Sequence, residues 1–435
     1  MATPAKVDQK PICKYGANCY RKNEDHLKQY RHPKKKHEDD EEKPPKKKKQ
    51  EPTKAVTHKH AAITDYFKGN QNNGEAGLSN KTDDEKVLQK EEENKSSDNM
   101  QEDKCDKDVE DLEHMPESPS DIQANIKSKF LVEMPKDFYD FWKFCQKMNA
   151  EDPLDALQET LGYTLVGPYD VVAGRHRDVE RNSAARRPNF LLHWRYYYDP
   201  PEFLTVIKGD DEKQFHIGYF RDDPREMPVF VASNCAKENG NIIPVGDNLF
   251  AAVHHSITAE LKNTGLSKDK KDSLLNLQKK LKSAAHAEGY ALELETKRMK
   301  ERNKKSVCKT FHGAGMVVPV DANEVGYRPV PETQGDLKKM LARIRDSKTE
   351  ADQTKNFEQL QELVTLVQFA NDECDYGEGL ELGLDLFSFG GECFHSVIGS
   401  LLTLAYQLLG RLEYSKIIEA HLARRSHSAN LSEID

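Results

Sequence analysis

Regular alternation of apolar and polar residues begins near Ile122 and persists to about Leu422, and the stretch before it has none. Between Pro135 and Met148, the residues Phe138, Phe141, Trp142 and Cys145 recur at three-and-four spacing, which predicts an amphipathic helix. Asp152 before Pro153 reads as an N-cap and first-turn pair, opening a helix through Leu161. The strings FLTVIKG, QFHIGYF and MPVFVAS then alternate with period two and are separated by Gly-Asp and Asp-Pro turn signals, so they predict strands. NIIPVGDNLFAAVHH returns to a helix, and the charged, amphipathic run from Asp272 to Glu301 predicts a long one. FHGAGMVVPVD reads as a tight turn feeding a buried strand, with Gly313 and Gly315 in the turn. Further helices are predicted from about Asp336 to Arg345 and from about Thr354 to Ala370. Two more cover ECFHSVIGSLLTLAYQLLGRL and SKIIEAHLARR. No internal repeat is found. The expected fold class is α+β: a helical N-terminal portion, then a mixed C-terminal portion, with a division near residues 121–245 and 246–435.

Composition explains the silent N-terminal stretch. The chain of 435 residues is 32% charged with a mean hydropathy of −0.83, too polar to be compact throughout. Residues 33–60 are strongly basic, and 71–114 are rich in Asp, Glu, Asn and Ser. Neither can bury enough apolar surface to offset its ordering entropy, so 37–120 is expected to be a disordered linker. The net charge of −9 is therefore an average over segments of opposite sign. The eight cysteines form no paired framework, and neither a signal peptide nor a long apolar run occurs. A reducing intracellular compartment with no membrane attachment is the expectation.

Within 8–36, Cys13, Cys19, His26 and His32 stand in the order Cys-x5-Cys-x6-His-x5-His. Two thiolates and two imidazoles make a complete tetrahedral zinc set with no position left for a catalytic water. So short and charged a segment would take its folding energy from the metal. The cysteines are too far apart for a DNA-reading finger. With YG after the first Cys and CYR at the second, the string resembles the poly(ADP-ribose)-binding zinc finger. That resemblance implies that Tyr15, Tyr20 and Arg21 grip ADP-ribose units. Rings and a guanidinium that stack on adenine suit this task.

Two short linker motifs follow. Pro44–Gln50, PPKKKKQ, is a lysine cluster similar to a nuclear import signal, and Lys34, Lys35 and Lys36 extend a field attractive to phosphate polymers. In HAAITDYFK, Ile63, Tyr66 and Phe67 have the spacing of a sliding-clamp peptide, with His60 where that motif carries Gln. They are candidate clamp contacts.

In the core, no dinucleotide fingerprint and no Gly-x-Ser-x-Gly elbow occurs, and adjacent His254 and His255 face apart on a helix. The exception is NDECDYGEGLELGLD, residues 371–385, where Asp372, Glu373, Asp375 and Glu378 gather as an apolar helix runs out. Carboxylates at a helix C-terminus oppose its dipole, and like charges raise one another's pKa. The segment reads either as a solvated acidic loop or cation site, or as a proton acceptor tuned towards neutrality.

VQFANDECDYGEGLELGLDLF, with FHGAGMVVPVDANEVGYR and YQLLGRLEYSKIIEAHLARR, closely resembles the histone PARylation factor family, and the likeness covers Ile122 to the end. The resemblance implies an accessory factor that docks on a DNA-break-activated poly(ADP-ribose) polymerase and completes its active site for serine on histones. Carried onto matching positions, Glu373 is the catalytic glutamate and Asp372 contacts the polymerase. Tyr327 and Arg328 belong to the interface and to the joint site's geometry. NAD would be held by the polymerase, and the nucleus and damaged chromosome would be the place of action. The intact finger is a variant of the family's architecture. The rival expectation is a binding adaptor for poly(ADP-ribose) and histones with no catalytic residue.

Overall fold

A computed structural model describes Tyr30 and residues 118–435. The finger residues, the linker, the import cluster and Ile63, Tyr66 and Phe67 lie outside the described residues.

Helix α1 (Ile122–Phe130) starts where the Asp121 carboxylate accepts from Ala124 N at 2.7 Å. α2 (Lys136–Met148) is the amphipathic helix its spacing predicts, with Phe138, Phe141 and Cys145 fully buried. Asp152 does cap, accepting from Leu154 N, but it caps only a 3-10 turn at Pro153–Asp155. The helix after it is the separate single turn α3 (Gln158–Leu161), closed by Gly162 in the left-handed region.

Strands β1 (Thr164–Leu165), β2 (Phe203–Lys208), β3 (Phe215–Phe220), β4 (Phe230–Cys235) and β5 (Ile243–Gly246) form one antiparallel sheet in chain order. Short α4 (Pro168–Val172) lies between β1 and β2 in the chain. Both sheet faces are covered. Leu204, Val206, Ile217, Tyr219 and Val231 face a core shared with α2, α5 (Leu249–Glu260) and α6 (Lys268–Glu288). Phe203, Phe220, Phe230 and Ala232 face a second core with Met299 of α7 (Lys297–Lys305) and Ala314. Registered Phe220 and Phe230 stack at 4.9 Å across β3 and β4.

Three further expectations are corrected. Ile243–Gly246, read as the start of a helix, is strand β5, and the helix begins only at Leu249 behind the Asn248 cap. The long helix predicted over 272–301 is two helices, because Gly289 takes φ +76° and ends α6, and α7 starts anew behind the Thr296 cap. The strand predicted after Gly315 does not form. Gly313 and Gly315 take positive φ as expected of a turn, and Met316 and Val318 are buried as coil with a lone bridge to Cys308.

The rest is helical: α8 (Gln334–Arg345), α9 (Glu350–Asp372), α10 (Gly377–Phe389), α11 (His395–Leu408) and α12 (Leu412–Arg424). α10 is buried from Gly377 to Phe387. Among the described residues no helix is long and apolar enough to cross a membrane.

Candidate functional site

Helix α9 ends in a Schellman turn. Asp375 N donates to Ala370 O at 2.8 Å and Cys374 N to Asn371 O at 3.0 Å, with Cys374 at φ +64° in the place glycine usually takes. A non-glycine residue there is strained by roughly 1–2 kcal/mol, a burden commonly met at functional sites. The turn divides the acidic cluster. Asp372 and Glu373 stay exposed on the outside, and Asp375 and Glu378 are buried inside.

Between these halves lies Arg328, 3% exposed. Its Nε donates to Asp375 Oδ2 at 2.9 Å, its Nη2 lies 2.8 Å from the same carboxylate oxygen, and Glu378 stands 3.9 Å away. On its outer side the guanidinium bonds the Glu373 carboxylate, whose side chain is 60% exposed. This arginine supplies the compensation that a carboxylate at a helix C-terminus requires. The solvated-loop reading of residues 371–385 is thereby replaced by a built cluster. Among the described residues, no group of three or more His, Cys, Asp or Glu is placed to hold a metal.

The segment carrying Arg328 is fixed from below by α10. Glu378, Glu381 and Asp385 recur at three-and-four spacing along this helix, so they share one face, and all are buried. Glu381 accepts from Tyr327 Oη at 3.1 Å and from Val330 N at 3.0 Å, and Asp385 accepts from Phe311 N at 2.7 Å. Burial pushes the Asp385 carboxyl up to about 8 and drives the Tyr327 phenol far above its ordinary range. At Gly326 the two segments touch: its N–H donates to Asp375 Oδ1 and its carbonyl accepts from Gly377 N at 2.9 Å. A Cβ at Gly326 would sit 2.2 Å from Pro319 O, and its φ is +129°, so this crossing requires glycine. Sequence reasoning missed the stapling carboxylates Glu381 and Asp385. The signal was present as acids at helical spacing in an otherwise apolar helix.

Tyr327, Arg328, Asp372 and Glu373 are thus brought to one place, with Arg328 turned inward and the two acids outward. Exposed apolar side chains lie nearby in the chain: Phe369, one turn before Glu373 on α9, and Val320 and Val325 on the Arg328 segment. Such groups beside an exposed carboxylate make a surface suited to a protein partner.

Comparison with known proteins shows the family. The family profile for histone PARylation factor 1 matches residues 121–425, and the profile for the PBZ domain matches 10–35. Histone PARylation factor 1 of Bos taurus is 53% identical over 309 residues, covering 71% of this chain and 88% of that protein. The Danio rerio protein of the same name is 46% identical over 314 residues, 72% of this chain and 88% of its own. A putative histone PARylation factor 1-like protein of Homo sapiens is 47% identical over 306 residues, 70% and 87% respectively.

Proposed function

This chain belongs to the histone PARylation factor 1 family and begins with a PBZ domain, and on that premise we propose that it lends Glu373 to a poly(ADP-ribose) polymerase as a general base. The observation that carries the reading is an exposed carboxylate held in place by a buried arginine. In the joint site the polymerase holds NAD. A serine Oγ of a histone or other chromatin protein attacks C1 of the nicotinamide ribose and nicotinamide departs with the bond electrons. Glu373 takes the hydroxyl proton. A serine hydroxyl is a weak nucleophile at neutral pH, so a positioned base is worth about 10²–10⁴-fold in rate. Asp372, Phe369 and Tyr327 with its segment meet the polymerase, and Arg328 keeps the Glu373 carboxylate aimed before docking. The isolated chain turns over no NAD.

The PBZ domain brings this half-site to poly(ADP-ribose). Its two thiolates and two imidazoles, Cys13, Cys19, His26 and His32, suit one structural zinc ion, and Tyr15, Tyr20 and Arg21 contact the polymer. The lysine cluster at 44–50 directs the chain to the nucleus and damaged chromosomes. Ile63, Tyr66 and Phe67 engage the sliding clamp, which a peptide of residues 54–72 and its Tyr66→Ala variant test directly.

The deciding experiment combines the full chain with a DNA-activated polymerase, NAD and a histone H3 tail peptide, and maps the modified residue with and without Glu373→Gln. Serine modification falling by about 10²–10⁴ supports the shared site. Serine modification that survives the substitution leaves an adaptor.

A further inference from the structure

Away from Glu373, a cavity of about 370 Å³ opens where the C-terminal end of α12 meets the segment 186–197. Its walls carry four arginines, Arg186, Arg195, Arg424 and Arg425, against one carboxylate, Glu433. On a chain of net charge −9 this is a concentrated inversion of sign, and a concave wall focuses such a field.

Arg425 is the informative member. It is 4% exposed and lies between the rings of Tyr197 and Phe387, 4.0 and 3.8 Å from its guanidinium carbon. Nε donates to Tyr197 O at 2.8 Å and Nη2 to Phe387 O at 2.7 Å, leaving Nη1 buried with no acceptor. No carboxylate pairs with it among the described residues, and burial pulls it down to about 10. The dipole of α12 explains a cation such as Arg424 at its end. It does not explain a second guanidinium turned inward with a spare N–H. Beside it His421, also 4% exposed, keeps a buried Nδ1 without partner. A buried cation with an unused donor is costly unless an anion completes it.

The one carboxylate on the cavity wall is held by Arg424 and leaves Arg425 Nη1 without an acceptor. Glu433, near the end of the C-terminal tail, accepts from Arg424 Nη1 at 3.2 Å, Asn189 N at 3.2 Å and Asn182 Nδ2 at 3.4 Å. A guanidinium, a backbone N–H and an amide are the donors a phosphate oxygen uses. The tail is seated beside it: Glu433 N donates to His193 Nδ1 at 3.0 Å, Trp194 N to Leu431 O at 2.7 Å, and Ile434 is buried.

We propose that this arginine-walled cavity is a second anion site that binds the pyrophosphate of an ADP-ribose unit, with the Glu433 carboxylate as its built-in competitor. The volume is that of a small-ligand pocket, and a concavity of this size admits a nucleotide but not a double helix. The choice of ADP-ribose over other phosphate esters rests on the function proposed above. The core would then hold polymer or product independently of the finger.

The test uses the full chain carrying Cys13→Ala, to silence the finger, without polymerase, so that its outcome does not depend on the role of Glu373. Calorimetric titrations at low salt use ADP-ribose, inorganic pyrophosphate and a short DNA duplex. Saturable one-site binding of ADP-ribose is expected, weakened at least tenfold by Arg186→Gln with Arg424→Gln and tightened several-fold by Glu433→Gln. Arg186 is exposed, so Arg186→Gln alone, checked by its melting curve, keeps the test valid should the double variant fold poorly. Absence of saturable ADP-ribose binding, or binding indifferent to both arginines, overturns the site. Arginine-dependent binding of the duplex alone overturns the choice of ligand.

Discussion

Replacing Arg328 and replacing Glu373 should differ sharply in their cost to stability. The Arg328 side chain is 3% exposed, and the two acids on its inner side, Asp375 and Glu378, are 7% and 0% exposed. Arg328→Leu removes the cation beside two buried carboxylates, and breaking a buried pair in this way costs about 3–5 kcal/mol. The outer partner is different. Glu373 is 60% exposed, and an ion pair reaching into water is worth about 0–1 kcal/mol. Glu373→Gln also keeps an oxygen that can accept from the guanidinium. Urea unfolding of the full chain, followed by circular dichroism at pH 7.5, should therefore separate the two variants by roughly 3 kcal/mol. An Arg328→Leu loss below about 1 kcal/mol, or a Glu373→Gln loss above about 2, would refute the view of Arg328 as an internal clamp with one external arm. The separation is also what makes Glu373→Gln a clean probe of the proposed base.

Three further outcomes are expected. Burial raises Asp385 to about 8, so between its unfolded value and that pH the folded chain binds the extra proton and stability falls as pH rises. The stability of Asp385→Asn relative to the parent should grow by about 2–5 kcal/mol from pH 4 to pH 8.5, and a flat difference in urea melts would disprove the burial argument. Gly383→Ala, favourable by helix propensity alone, should instead destabilise by about 1–3 kcal/mol, because a Cβ there lies 2.5 Å from Leu402 Cδ2 at the crossing of α10 and α11; a gain in melting temperature would show that α11 yields. Chelation of zinc, or Cys13→Ala, should remove the finger's share of polymer binding in a gel-shift assay, leaving the weaker binding of the arginine cavity, with the main unfolding transition and reconstituted serine transfer unchanged. Loss of both would mean that finger and core do not work separately.

The parts of the fold read correctly from sequence are those where local and tertiary demands agree. Period-two alternation located β2, β3 and β4, and the three-and-four spacing of Phe138, Phe141 and Cys145 located α2. The failures come from single backbone positions. Gly289 breaks what periodicity reads as one helix, and Gly313 and Gly315 hold Met316 to Val318 in coil although these residues are as apolar as a strand. The acids of 371–385 were visible as a group, but composition could not separate those a helix would bury from those its end would expose. Spacing could have done so, since Glu378, Glu381 and Asp385 lie on one face of a helix whose other positions are apolar. The arginine cavity had no sequence signal, because segments near residues 190 and 430 meet only in the folded chain.

Under the function proposed above, the arrangement around Glu373 accounts for how a catalytic carboxylate would be carried on an accessory chain. An acid that must enter another protein's active site has to be exposed, yet an exposed side chain at a helix end is mobile and disfavoured by the dipole. Here the restraint is moved one layer inward. Arg328 reaches Glu373 from the interior, Asp375 fixes Arg328, and the Arg328 segment is pinned through Gly326, Tyr327 and Val330 to Asp375 and Glu381. Arg328, Asp375 and Glu381 are all buried, so the geometry of an exposed group is set by groups that water hardly reaches. Docking then has little left to order, and binding energy that would otherwise immobilise the base remains available to hold the serine substrate. On this view Asp375→Asn should lower serine transfer although Asp375 never meets the substrate. It should do so by lowering the maximal rate with affinity for the polymerase unchanged, a split that kinetics at saturating factor would expose and that simple unfolding would not produce.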